Sequence, residues 1–416
     1  MTFADPSQAS SMPDSAASPS AAPARVRDLR LDFFRGLAMF IILIAHTPGN
    51  FLTLWIPARW GFSDATEIFV FCSGMASAIA FGSTFDRAGF ALGTARVAYR
   101  VWQVYWAHVG LFFATLALAV FLTDLEITGR NYWGQLNLWM IFVESDKWEN
   151  PNMLLSFMTL RWVPNYFDIL PMYMIVLMMM PVVMALSRVD LRLVAAFVVA
   201  VWVLGQETVT RALGLPYLAF PAEPWSDRSW FFNPFGWQLI FFTGFAFMRG
   251  WLPKPPVSAL LIGLALFLVI ANIPLSNIGV RVLGLEWARD WREAMAPLID
   301  KSGFGLLRYT HFLALAYLCW VAAGDKGSRL LSRGAGALAR LWDGVLAIIL
   351  KVGQQSLAVF VVSMFTARLM GFGMDVMGRD VLTTLAVNLA GFGVLIATAY
   401  VAGWFKTQPW RVRRTA

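Results

Sequence analysis

The chain has 416 residues, 58% of them hydrophobic and 14% charged, with mean hydropathy +0.62 and a formal net charge of +8. Soluble domains average about 25% charged residues, so the composition excludes an ordinary soluble enzyme and points to an integral membrane protein. The positive residues crowd into short loops, where they orient helices, so no nucleic-acid partner is expected.

Residues 1–24 are mostly Ser, Ala and Pro. They lack the basic and apolar regions of a signal peptide and read as a disordered cytoplasmic tail. Ten apolar segments follow, at 33–54, 65–83, 98–122, 168–187, 191–209, 233–250, 257–274, 305–323, 344–369 and 381–404. Each approaches the ~20 residues that cross ~30 Å of hydrocarbon. Helices are expected because every backbone polar group must be satisfied locally there. The fold class is therefore an all-α polytopic membrane protein, with about ten transmembrane helices over 25–410 and a basic tail at 411–416. Basic residues such as Arg96, Arg100, Arg188, Arg192, Arg329 and Arg333 fall in one set of short loops, whereas the loops 124–166 and 275–304 are long and mixed in charge. The positive-inside rule then puts both termini in the cytoplasm. Cys72 and Cys319 lie in apolar runs and read as buried free thiols.

The first segment carries Arg35 and His46. An ionisable residue inside a bilayer costs roughly 2.5–3.5 kcal/mol on insertion scales, so a span holding two of them points to function. Eleven steps of about 100° return to nearly the same helical face, about 16 Å along the axis. One stripe then carries a cation near one surface and an imidazole near the other. At the same outer depth lie Asp64 and Glu67, which open the second segment, and Asp168, which opens the fourth. Asn233, Trp237 and Gln238 open the sixth, and Arg308 and His311 the eighth. A polar pocket just below the outer surface gathers these groups. Aromatics of the outer loops (Tyr132, Trp133, Trp148, Trp162, Tyr166, Trp225, Trp230) suit sugar stacking or the membrane interface. Plainer roles also fit: a helix cap for Asp64 and for Asp168, a first-turn acid for Glu67, a satisfied buried imidazole for His108, and snorkelling for Lys351. Ser73-Gly74 reads as helix packing.

A His with a carboxylate at the same depth is the minimum set for general base catalysis. No G-x-S-x-G elbow, Walker sequence or H-E-x-x-H signature is present, and no metal is called for. Attack of a hydroxyl on a thioester, with His46 as base, fits better than a serine acyl-enzyme. Arg308 is placed to balance an oxyanion or a substrate carboxylate.

The stretches DFFRGLAMFIILIAHTPGN and FSDATEIFVFCSGMASAIAFG resemble the OpgC family of the acyltransferase-3 superfamily of membrane O-acyltransferases. RVWQVYWAH, FDILPMYMIVLMMMP, NPFGWQLIFFTG, LRYTHFLALAYL and GQQSLAVFVVS continue the resemblance in order along most of the chain. The superfamily pattern of Arg, ten residues, His maps onto Arg35 and His46. The resemblance implies an inner-membrane enzyme that moves an acyl group, succinyl in OpgC, from cytoplasmic acyl-CoA to hydroxyls of a periplasmic glucan. Acyl-CoA is then a donor substrate and no cofactor is tightly bound. His46 is implied as the catalytic residue, and Arg35 as support for the site or the donor's path. Glu67 is our candidate for orienting His46, on depth alone. Arg308 and Arg368 are the cations that would meet a succinyl carboxylate. An O-acetyltransferase for another extracytoplasmic glycan, a solute transporter and a non-enzymatic part of a glycan machine are the alternatives.

Overall fold

The computed structural model describes residues 28–142 and 152–411. The tail 1–24, most of 411–416 and Trp148 lie outside the described residues. Those described are helical, with one isolated bridge, Pro221 with Ser229, and no longer strand.

The first helix, α1, runs Leu29–His46. Asp28 caps it by accepting from the Arg30 amide, and it stops where Thr47 turns its hydroxyl back onto the Leu43 carbonyl at 2.8 Å. The apolar run 33–54 thus outlasts its helix, because Thr47-Pro48-Gly49 breaks the backbone ladder. His46 is the last helical residue rather than an interior one.

Next comes α2 (Ala65–Ser77), then a π-helical turn at Ala78–Gly82 and α3 (Ser83–Asp124). The chain reverses inside α3 at Gly89, whose φ of +85° favours a residue without a Cβ. Arg96 reaches back to the Thr84 hydroxyl and Gly93 packs on Phe85. The expected segments 65–83 and 98–122 are therefore joined by helical backbone that turns back at Gly89. The fourth segment is α4 (Ile169–Met178) and α5 (Met180–Ser187), parted where Pro181 enters. The fifth is α6 (Leu191–Leu204) and a short α7 (Glu207–Leu213), bent by 90°.

Helix α8 (Pro234–Arg249) starts with Asn233 as cap and Pro234 at its first position. Its sequence, PFGWQLIFFTGFAF, is apolar all round, and the helix is buried on nearly all sides. It packs most extensively on α2, with Gly74 against the Phe241 carbonyl and Gly244 against the Phe71 carbonyl. The expected packing role of Gly74 holds. Helix α9 (Ala259–Ala271) packs on α11 (Leu306–Ala323), which meets this pair through Phe312 on Phe71 and Tyr309 on Thr243, and the amphipathic α10 (Glu286–Ala294) stacks Trp291 on Phe62 ahead of α2.

The expected segment 344–369 is broken. Helix α12 spans Ala337–Gln354 and α13 spans Ser356–Met377, with a non-helical Gln355 between them. Gly36 and Gly353 let α1 and α12 meet at backbone distance there. Helix α14 (Val381–Thr407) returns along both: Asn388 bonds Asn50, Gly391 packs on Met370 and Gly403 on Lys351.

Among the described residues five helical stretches are long and apolar enough to cross a bilayer: Ala65–Asp124, which includes both sides of the Gly89 reversal, Ile169–Ser187, Leu306–Ala323, Ser356–Met377 and Val381–Thr407. The bent α6–α7 pair makes a sixth. These long apolar helices fit a multi-pass membrane protein. Large exposed apolar side chains such as Leu260, Phe267, Leu382 and Leu389 line the outside of the bundle, as expected where lipid replaces water.

Candidate active site

His46 ends α1 in a half-buried position. Its Nδ1 lies 2.8 Å from the Ile42 carbonyl oxygen. A carbonyl only accepts, so Nδ1 carries the proton and Nε2 holds the free lone pair of the neutral ring. Glu67, the candidate for orienting His46, bonds the Asp64 amide and Arg308, and a backbone carbonyl one turn earlier holds the His46 tautomer. The imidazole meets the Tyr166 ring edge to face at 5.5 Å. Lys301, Arg368 and Asp64 are close enough to act on it electrostatically.

Tyr166 is held in an uncommon backbone state, with φ at +88°. Bulky residues seldom adopt positive φ, and such strain persists only where surroundings over-determine it. Three contacts do so here. Its hydroxyl donates to the Met364 carbonyl on α13, its ring meets His46, and the Arg368 guanidinium lies 3.9 Å from the ring centre. Arg368 makes no ion pair among the described residues, and its Nε is buried without a hydrogen-bond partner.

Glu67 and Asp64 are spent at the start of α2. The Asp64 carboxylate accepts from the Thr66 amide and the Glu67 carboxylate from the Asp64 amide, each at 2.7 Å, forming a capping box. The remaining carboxylate oxygens take cations: Arg308 pairs with Glu67 at 2.6 Å and Lys301 with Asp64 at 2.5 Å. Two acids and two cations thus balance at a helix N-terminus that favours negative charge. Asp64 stands one residue ahead of the Ala65–Asp124 span. Burial alone would push its carboxyl up, but the Lys301 and Arg308 charges override this and hold it well below the usual carboxylate range.

The other expected site residues divide. His311 accepts at Nδ1 from the Ser63 amide and hydroxyl, the latter at 2.8 Å, and lies against Gly61. It faces the turn before α2 while Arg308, one turn away, faces Glu67. Asp168 is buried at the start of α4 but makes no side-chain cap bond, which corrects the capping expectation. Its carboxylate is instead engaged by the backbone at Tyr166 and by its own amide. Trp237 and Gln238, expected to face the outer pocket, are instead fully buried. The apolar environment of α8 directs their polar atoms to backbone partners: Trp237 Nε1 donates to the Lys301 carbonyl at 2.9 Å, and Gln238 Nε2 to the Val198 carbonyl at 2.7 Å. Trp237 thereby fixes the backbone from which Lys301 reaches Asp64. His108 stacks on Phe157, and neither ring nitrogen has a hydrogen-bond partner among the described residues, so it is packed rather than satisfied.

Arg35 is buried and donates to the Gly353 carbonyl at 3.1 Å. That oxygen lies at the C-terminal end of α12, where carbonyls lose their helical partners and cations are favoured. Arg35 therefore bridges α1 to the α12–α13 break. Arg35, Arg100 and Lys351 also lie close enough to Lys406 to act on it electrostatically. A cationic cluster thus occupies the end of α1 opposite His46.

Sequence reasoning missed Lys301, read only as a loop charge, and placed Tyr166 no better than other outer aromatics. The Lys301–Asp64 pair joins residues 237 positions apart, and neither local pattern announces it. Tyr166 had one signal, its place directly before the Phe167-Asp168-Ile169-Leu170-Pro171 helix start.

No curated protein and no solved structure matches the chain. A family model described as OpgC protein matches residues 27–407, from just before α1 to the last residue of α14. With a match over nearly its whole length, the chain belongs to the OpgC protein family.

Proposed function

We propose that this glucan-modifying acyltransferase is a membrane O-acyltransferase of the acyltransferase-3 type. It crosses the bacterial inner membrane ten times with both termini in the cytoplasm, and moves succinyl from succinyl-CoA to hydroxyls of periplasmic glucans. The observation that carries this reading is the His46 tautomer. An Nδ1–H held by the Ile42 carbonyl leaves Nε2 as the basic atom of a half-buried ring, as a general base requires. His46 Nε2 takes the proton of a glucan hydroxyl while that oxygen bonds to the thioester carbonyl carbon. The tetrahedral intermediate then expels the CoA thiolate, which receives the proton from Nε2. The products are a glucan ester and free CoA.

The inner cluster of Arg35, Arg100, Lys351 and Lys406 suits the phosphates of CoA. Its distance from His46 along α1, about 16 Å at 1.5 Å per residue, suits a donor whose long arm threads inward while its nucleotide stays at the cytoplasmic face. The acyl identity rests on Arg368. Arg308 is paired with Glu67, whereas Arg368 has no acid partner among the described residues and stacks on the ring that touches His46. This half-buried cation, with its Nε enclosed, lacks a counter-charge, and the free carboxylate of a succinyl group supplies one. Mass spectrometry of periplasmic glucans from cells with and without the protein tests the reading. A mass gain matching succinyl is expected; an acetyl gain would displace the donor assignment, and no gain would remove the activity.

A further inference from the structure

An open cleft of about 470 Å³ lies between α10, the segment that follows it and the start of α11. Small-molecule sites span roughly 300–1,000 Å³, so the cleft has room for a substituted sugar residue. Arg289, Arg292, Lys301 and Arg308 line it, against Glu293 and Asp300. The Asp300 carboxylate is occupied by the Gly303 amide. Lys301 and Arg308 are each paired with an acid, and Arg308 Nε is buried without a partner among the described residues. Arg292 donates to the Leu275 carbonyl at 2.7 Å and lies over the Phe62 ring at 5.8 Å. Arg289 is exposed and makes no ion pair among the described residues. Burial pushes the Arg292 pKa down, and the charges of Arg308 and Arg281 push it further in the same direction. Arg289 and Arg292 thus face the cleft without an acid partner among the described residues, and an arriving anion relieves the repulsion on Arg292. One lining residue, Lys301, also lies near enough to His46 to act on it electrostatically.

We infer that this cleft binds an anionic substituent of the glycan acceptor, a carboxylate or a phosphate ester, and so orients a neighbouring hydroxyl toward His46. The inference rests on the acyl-transfer reading and adds to it a charge requirement on the acceptor. Arg289 and Arg292, the lining cations without an acid partner among the described residues, hold the anion, and Lys301 on the same wall acts electrostatically on His46, which favours an acceptor over a lipid headgroup at the bundle's edge.

The test uses the full chain in liposomes, with acyl-CoA enclosed with its cytoplasmic face. Two acceptors are compared: a neutral β-glucan and the same glucan carrying phosphate esters. The expected result is a preference in kcat/KM for the phosphorylated acceptor of about tenfold or more, the worth of one charge-assisted hydrogen bond. That preference should lie in KM and shrink as salt rises. The R289Q/R292Q pair should bring the ratio close to one, and R289Q alone, at an exposed side chain whose loss leaves the fold intact, should lower it part-way. Equal use of both acceptors by the unaltered protein would overturn the inference while leaving acyl transfer standing. A preference that survives in R289Q/R292Q would overturn it too, as would one that follows the anionic lipid content of the liposomes instead of acceptor charge. Transfer to neither acceptor would overturn the acyl-transfer reading along with it.

Discussion

Replacing Glu67 with Gln separates a structural carboxylate from a catalytic one. Glu67 has no exposed surface, and its Arg308 partner retains 12% of its side-chain exposure. Removing one partner of such a pair leaves an uncompensated buried charge, which costs about 3–5 kcal/mol. Glu67→Gln therefore leaves Arg308 stranded and Arg308→Gln leaves Glu67 stranded, so each single variant should lower thermal stability sharply. The double variant, E67Q/R308Q, keeps hydrogen-bonding shapes and removes both charges. It should recover much of the loss, with a coupling of about 1–3 kcal/mol. The capping-box bond from the Asp64 amide survives in it, since an amide oxygen also accepts. The assay is heat-induced loss of the monodisperse peak in detergent, with acyl transfer measured on the folded fraction. Losses that simply add would refute the pairing. A folded double variant with abolished transfer would restore Glu67 or Arg308 to the chemistry.

Arg368→Gln should lower the ratio of succinyl to acetyl transfer by about 2 kcal/mol or more, roughly thirtyfold, as expected when a buried charge loses its partner; parallel reactions with the two CoA donors measure it, and equal losses for both would remove Arg368 from donor selection. Lys351→Gln and Lys406→Gln should raise the KM for acyl-CoA by roughly twofold to fivefold per charge, with less effect at high salt, in initial-rate measurements at fixed acceptor. Asp64 is a carboxyl whose folded pKa is depressed, so the stability it contributes is present above the unfolded value near 3.9 and fades only as pH falls through its lower folded value. Asp64→Asn should therefore lower thermal stability at neutral pH, and a melting series on both proteins should show the difference closing only well below pH 4.

Much of the fold was legible because its signals are local. The Asp64…Glu67 capping box and the Asn233-Pro234 helix start fall at the expected openings of the second and sixth segments, whereas Thr47-Pro48-Gly49 ends α1 inside the expected 33–54 segment. Hydropathy misplaced the ends of helices that protein rather than lipid surrounds. The 344–369 run is continuous in composition, yet it breaks at Gln355 where Arg35 claims the Gly353 carbonyl. The all-apolar α8 is a central packing helix of 16 residues, because its partners are helices on most sides. In the site, depth correctly gathered Asp64, Glu67 and Arg308, since each opens its helix from the same end. Depth could not say who bonds whom. His46 is served by its own backbone four residues earlier, a contact open to any helical histidine and so without a distinguishing pattern. Arg368 and Tyr166 come together only through the packing of α13 on the loop before α4. Trp237 and Gln238 looked like pocket residues because polar atoms at a helix start invite that reading, but their partners are buried carbonyls.

The central claim is that the His46 imidazole removes the proton from the acceptor hydroxyl. The most direct measurement is acyl transfer to glucan by purified, reconstituted His46→Gln, which keeps a side-chain donor near the Ile42 carbonyl but offers no basic nitrogen. At folding and acyl-CoA binding equal to the unaltered protein, the rate should fall by about 10²–10⁴, the range of general base catalysis. Transfer within a few-fold of the unaltered rate would contradict it.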